Sequence, residues 1–131
     1  ADVPTIARSA LGPTARSTSA ADLAAFTKSY RGYIARKYGK RFREFVGGAI
    51  TVKKTVNRGK YFEVVSNVRL RGSSPFDISF RVSDRSGKDL FFDIIIEGIS
   101  LLSSERVEIG ALLDRRGGSV PRLTRDLRSL G

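Results

Sequence analysis

The sequence predicts an α+β protein, a curved antiparallel four-stranded sheet covered by helices. Three observations carry this. The run Leu90–Leu102 places large apolar side chains at both odd and even positions, as a strand covered on both faces requires. Three shorter alternating runs precede it, joined by brief turns, which is the pattern of an antiparallel meander. Apolar stripes at helical spacing lie before and after this block, so the order is helix, sheet, helices.

Residues 1–18 read as a short helix followed by a loop. Val3, Ile6, Ala7, Ala10 and Leu11 recur at helical spacing, and Gly12-Pro13 ends the segment. The strongest helix signal runs from Ser19 to about Phe45. Ser19 is a natural cap, with Asp22 three residues on. Leu23, Phe26, Tyr30, Tyr33, Ile34, Tyr38, Phe42 and Phe45 form one stripe, unusually rich in aromatic rings. The remaining faces carry Lys28, Arg31, Arg36, Lys37, Lys40, Arg41 and Arg43. Gly47-Gly48 closes the helix.

Four strands are expected next. Ile50–Val56 and Tyr61–Leu70 flank a turn at Asn57-Arg58-Gly59-Lys60, and Gly72-Ser73-Ser74-Pro75 turns into Phe76–Ser83. A third turn, Asp84–Lys88, leads into the apolar run. Strict alternation puts Phe62, Val64, Ile78, Phe80, Phe92, Ile94 and Ile96 on the face that the aromatic helix covers. It puts Phe91, Asp93, Ile95 and Glu97 on the other, where the two carboxylates need solvent or an Arg as partner. Gly98 marks a bulge or a close backbone approach. Ser103 or Ser104 is the expected cap of a helix reaching about Arg116, with Val107, Ile109, Leu112 and Leu113 inward. Gly117-Gly118 stops it. Ser119 caps a last short helix whose stripe is Leu123, Leu127 and Leu130, with Pro121 in its first turn.

A chain of 131 residues fits one domain with a real core. It has no cysteine and no histidine, which removes thiolate chemistry, the commonest metal ligands and the commonest general base. Asp93 and Glu97 stand roughly 13 Å apart by strand rise, outside the spacing of a glycosidase carboxylate pair. There is no Gly-rich phosphate loop. The reading is a non-enzyme without cofactor or metal. Net charge is +11, and 17 of the 24 cations are Arg, so anionic partners are favoured. Nucleic acid is a weak candidate, because base stacking needs aromatics beside the cations and here they fall on the apolar stripe. No apolar run is long enough to cross a bilayer.

The sequence Phe92-Asp93-Ile94-Ile95-Ile96-Glu97-Gly98-Ile99-Ser100-Leu101, followed by Arg106, resembles the strand–helix signature of the MlaC (toluene-tolerance) family. Leu11-Gly12, Ala15-Arg16, Phe26, Tyr33 and Tyr38 resemble the same family's helix leading into the sheet, and Leu123–Leu130 its basic, Leu-rich end. These are periplasmic phospholipid carriers of Gram-negative bacteria, with an NTF2-like appearance. The resemblance implies one lipid-carrier domain over residues 1–131, with more helix usual before the segment that begins here at Ala1. It implies a monomer that holds acyl chains in an apolar cavity between sheet and helices, with the headgroup outside. The lining expected from it is Phe26, Tyr30, Tyr33, Ile34, Tyr38, Val64, Val68, Ile78, Phe80, Phe92, Ile94 and Ile96. The cations Lys28, Arg31, Arg36, Lys37, Lys40, Arg41 and Arg43 are expected to dock a membrane or partner. Those partners would be an inner-membrane ABC transporter complex and an outer-membrane lipoprotein complex, between which the carrier exchanges lipid without covalent chemistry. Two other readings are a basic nucleic-acid-binding module and a scaffold domain that transports nothing.

Overall fold

The computed structural model describes residues 1–44, 47–72 and 74–131, and leaves out the side chains of Arg41, Phe42 and Glu44. The expected inward positions Phe42 and Phe45, the Arg41 side chain and the turn position Ser73 thus lie outside the described residues. The chain divides into two compact units. One joins Ala1–Asp2 to Arg41–Leu102, and the other joins Val3–Lys40 to Ser103–Gly131.

The first unit is an open antiparallel sheet of strands β1 (Ala49–Asn57), β2 (Phe62–Arg69), β3 (Phe76–Ser83), β4 (Leu90–Ile96) and β5 (Ile99–Ser100), paired in chain order. The meander expected from the short turns is present. Arg58 N–H donates to the Tyr61 carbonyl across the first turn, and the Asn57 side chain accepts from Gly59 N–H. A fifth strand is added to the four expected. Its cause is the pair Glu97-Gly98, which is neither bulge nor close approach but a two-residue hairpin turn. Both residues have positive φ, 52° and 80°, and Ile96 pairs with Ile99 across them.

Two bulges interrupt the ladder, one between Val52 and Lys54 and one opposite Arg81 and Val82. Such insertions bend the bulged strand. The second corrects the expected face assignment of β4. Arg81 pairs with Asp93 but Val82 pairs with Phe91, so Phe92 is the surplus residue. Strict alternation therefore fails at Phe92. Phe91 joins Ile94 and Ile96 beside the buried cluster of Val68, Ile78 and Ile94. Phe92 turns to the opposite face and meets the Tyr61 ring edge-on at 5.6 Å.

The second unit is helical, with α1 (Val3–Leu11), a 3-10 turn over Gly12–Ser17, α2 (Ala20–Glu44, up to Lys40 in this unit), α3 (Leu101–Arg115, from Ser103) and α4 (Val120–Leu127). Ser19 caps α2 as expected, its hydroxyl accepting from Asp22 N–H. Ile6, Ala7, Ala10 and Leu11 are buried along α1. Arg106 of α3 donates to the backbone and hydroxyl of Ser9, tying α3 to α1. At the end of α3, Gly118 N–H reaches Leu113 O and Gly117 N–H reaches Asp114 O, the Schellman closure for which glycine suits the left-handed position. Ser119 caps α4, accepting from Arg122 N–H.

Two expectations about α3 and one about α4 are corrected. The start of α3 lies at Leu101, so Ser103 and Ser104 sit inside its first turn and are not its cap. The buried positions of α3 are Glu105, Ile109 and Leu113, while Val107 is 74% exposed. A four-residue step from Glu105 generates this face, and Val107 lies off it. Leu130 falls beyond α4 and is exposed, because the helix ends at Leu127.

Glu97 is a non-glycine residue in the left-handed region, a conformation that costs an ordinary residue about 1–2 kcal/mol. Asn tolerates that region better. Glu97→Asn is expected to stabilise the protein by about 1 kcal/mol, read as a rise in the urea midpoint at unchanged m-value. A fall in the midpoint would show that the Glu97 carboxylate contributes more than its backbone costs.

Candidate functional site

The sheet presents one apolar face, built by cross-strand pairing. Ile50 opposes Val68, and Val52 opposes Ser66. Phe62, Val64, Ser66 and Val68 oppose Val82, Phe80, Ile78 and Phe76. Ile78 and Phe80 oppose Ile96 and Ile94. Paired residues share a face, so these side chains form one surface. Val68, Ile78 and Ile94 are buried in it, with Leu70, Phe76, Phe80, Phe91 and Ile96 packed against them. Phe80 and Phe91 meet at 5.8 Å, tilted by 64°. Toward β1 the same face opens. Ile50 is 53% exposed, Val52 58% and Phe62 49%. Of the expected lining, Val64, Val68, Ile78, Phe80, Ile94 and Ile96 lie together here, and Phe92 does not.

The opposite face is organised by charge. Asp93 is fully buried. One carboxylate oxygen accepts from Ile94 N–H at 2.8 Å and Leu102 N–H at 3.0 Å, and the other from the Ser100 hydroxyl at 2.6 Å. Asp93 is thus the cap of α3, supplied from a neighbouring strand, and this is why the helix starts at Leu101. Arg81 lies 3.6 Å from the carboxylate, and its guanidinium stacks on Tyr61 at 5.6 Å. The expectation that Asp93 reaches solvent or an Arg at the strand end is met in its Arg half. Glu97, in its turn, is exposed.

In the helical unit the aromatic stripe of α2 converges on a carboxylate that the stripe itself does not reveal. Phe26 and Tyr30 stack at 5.5 Å, Tyr30 and Tyr33 meet at 5.8 Å, and all three are buried. Ile34 and Tyr38 are half-buried. Glu105 of α3 is fully buried and accepts from Tyr30 Oη at 3.0 Å, Tyr38 Oη at 2.5 Å and Lys37 Nζ at 2.7 Å. Lys37 also pairs with Glu108 and lies over the Tyr33 and Tyr38 rings. Tyr30, Lys37 and Tyr38 stand at steps of seven and eight, two helical turns, so α2 places all three donors on one side. Burial pushes the phenols of Tyr30 and Tyr38 above the ordinary range, and the Glu105 charge adds to it. Burial also raises Tyr33. For Lys37, burial works to lower the ammonium, but the hydrogen bonds to Glu105, Glu108 and Tyr33 outweigh it and the net direction is up.

The α2 cations do not form one uniform face. Lys28, Arg31, Lys40 and Arg43 are exposed. Lys37 is half-buried in the Glu105 hub. Arg36, though exposed, caps the end of α4: its Nε donates to Leu130 O at 2.9 Å and its Nη2 to Leu127 O. Because Phe26, Tyr30 and Tyr33 are buried, these rings offer no stacking surface for bases. Among the described residues no group of three His, Cys, Asp or Glu gathers as a metal site, and no helix is long and apolar enough to cross a membrane.

The class this defines is an α+β protein with an open antiparallel sheet and one apolar, partly exposed sheet face. The chain belongs to the MlaC family, whose model, described as MlaC protein, matches residues 1–129. Among solved structures it is similar to the phospholipid-binding protein from Ralstonia solanacearum, determined in complex with a phospholipid. The TM-score is 0.82 at 19% identity, over 97% of this chain and 71% of that one. A search of the curated proteins finds no match.

Two outcomes test the Glu105 hub. Glu105→Ala leaves two phenols without their acceptor and Lys37 with Glu108 alone, and is expected to cost about 3–5 kcal/mol in urea unfolding, with Glu105→Gln costing less. A loss under 1 kcal/mol for the alanine variant would mean water replaces the carboxylate freely. The second outcome is alkaline. Tyr30, Tyr33, Tyr38 and Lys37 all have folded values above their unfolded ones. Their contribution is therefore complete below about pH 10 and is lost as pH rises above it. Unfolding free energy should fall steeply above that pH, in step with tyrosinate absorbance at 295 nm. A flat profile would remove the hub from the account of stability.

Proposed function

We propose that this protein binds phospholipid, with acyl chains laid against the apolar sheet face and the headgroup outside. The observation that carries the reading is that face, apolar across four strands and exposed at Ile50, Val52 and Phe62, in a chain of the MlaC family. Supporting it, the structurally similar Ralstonia protein is named as phospholipid-binding. The energetics explain the need. A lipid tail of about sixteen carbons costs on the order of 12 kcal/mol in water, at ~0.8 kcal/mol per CH₂. A carrier must replace most of that with apolar contact.

The finer reading follows the family. The protein is a periplasmic monomer that takes lipid from one membrane complex and yields it to another, an inner-membrane ABC transporter complex and an outer-membrane lipoprotein complex, with no covalent step. The exposed cations of α2 dock an anionic surface or an acidic partner. Charges near an anionic membrane contribute ~1 kcal/mol each.

Organic extraction of the purified protein followed by mass spectrometry should yield phospholipid, and native mass spectra should show adducts of matching mass. Phe62→Asp is exposed enough to fold and should lower occupancy severalfold. Phe80→Asp, checked by circular dichroism, should abolish it. Protein that is lipid-free from cells and takes up none from vesicles would sink the reading, as would full occupancy in a folded Phe80→Asp variant.

A further inference from the structure

The positive charge is concentrated in the helical unit, which holds 13 Lys and Arg against 5 Asp and Glu. Within that unit a groove of about 520 Å³ opens between α2 and the end of α4. It is lined by Ala25, Lys28, Ser29, Gly32, Arg36 and Arg128. Three cations line it and no acid does.

The three cations differ in how they are held. Arg36 is fixed by its two hydrogen bonds to the carbonyls that end α4, which occupy Nε and Nη2. Its Nη1 lies over Gly32, 3.0 Å from where a Cβ on that residue would stand. Gly32 is thus the floor of the groove, and any side chain there would fill the space. Lys28 and Arg128 are exposed and take part in no ion pair among the described residues. They stand on two different elements, Lys28 on α2 and Arg128 at the end of α4. The result is a recess lined by one guanidinium held at the end of α4 and by two cations without an ion pair among the described residues.

We propose that this groove docks an acidic segment of a partner protein, with carboxylates facing Lys28, Arg36 and Arg128. The proposal rests on the docking half of the reading above and is independent of the lipid cargo. Shape selects the occupant. A flat anionic bilayer gains most from cations on a convex surface, whereas a recess between two helices brings its cations onto a narrow chain that enters it. Arg36 already lies immobilised, so less side-chain freedom is lost on binding. Charge complementarity supplies the attraction and the salt dependence.

The test uses a fluorescein-labelled peptide of alternating Glu and Ser, followed by fluorescence anisotropy with the whole protein. Binding should weaken as salt rises, because the screening length falls from ~10 Å at 0.1 M toward ~3 Å at 1 M. Lys28→Glu with Arg128→Glu should weaken it by about tenfold or more, since two attractive contacts become repulsive. Gly32→Leu should weaken it comparably without changing charge, its thermal midpoint confirming that it folds. Lys60→Glu with Lys88→Glu makes the same charge change outside the groove and should leave affinity within about twofold. Equal loss in that control pair overturns the proposal in favour of a diffuse positive field. Unchanged binding in Gly32→Leu overturns it, as does absence of peptide binding at low salt. So does groove-dependent binding to phosphatidylglycerol vesicles with none to the peptide, which would make the site a membrane contact. Phospholipid content is measured on the same preparations. Loss of lipid with peptide binding intact counts against the cargo reading alone, and the reverse against the groove alone.

Discussion

A carboxylate taken wholly out of water must find donors, and two such carboxylates govern this structure. The Asp93 side chain gathers two backbone N–H groups and a hydroxyl at the point where β4, β5 and α3 succeed one another. Isolated burial of such a charge is prohibitive, so the native backbone path is the one that brings all three donors to it. The path is sharp. A strand ends, a two-residue turn reverses it, two residues pair back, and a helix begins at once. Without an acceptor from β4, the first turn of α3 would leave its amides unsatisfied.

Glu105 performs the corresponding task among the helices. It draws Tyr30 and Tyr38 from α2, and Lys37 links it to Glu108 one turn further along α3. A buried polar group of this kind fixes which residues face each other more narrowly than apolar contact does, because displacing α2 by one turn would leave Tyr30 and Tyr38 pointing past the oxygens. The aromatic stripe is therefore only partly a hydrophobic device. Phe26 supplies area, whereas Tyr30 and Tyr38 are held by their hydroxyls.

The fold was largely legible because its signals are local. Alternation in β2 and β3, the Ser19 cap, the Gly117-Gly118 stop and the aromatic period of α2 each depend on neighbours within a few residues. What escaped depends on distant partners. No local pattern marks Phe92 as surplus, since the bulge exists only relative to Arg81 and Val82 on β3. Glu105 reads as one more polar residue of α3 until α2 is beside it. Its signal was present in the four-residue step Glu105, Ile109, Leu113, which outlines a buried face more faithfully than the apolar choice of Val107. The candidate surface was legible in the same measure. Alternation found Val64, Val68, Ile78, Phe80, Ile94 and Ile96, and lost the one residue displaced by the bulge. The set of cations was visible, but not that Arg36 ends α4 or that Lys37 serves Glu105.

The outer edge of β1 has a consequence for the protein as a material. An edge strand with exposed Ile50 and Val52 is a template onto which another extended chain can zip, and fibrils begin in this way. Here Lys53 is surplus in the ladder, and Lys54 follows it. The insertion interrupts the regular rise that an incoming strand would have to match, while Lys53 pairs with Asp77 on the face opposite the apolar one. One additional lysine thus lets the sheet keep an apolar border accessible while denying the long, even register that self-assembly requires.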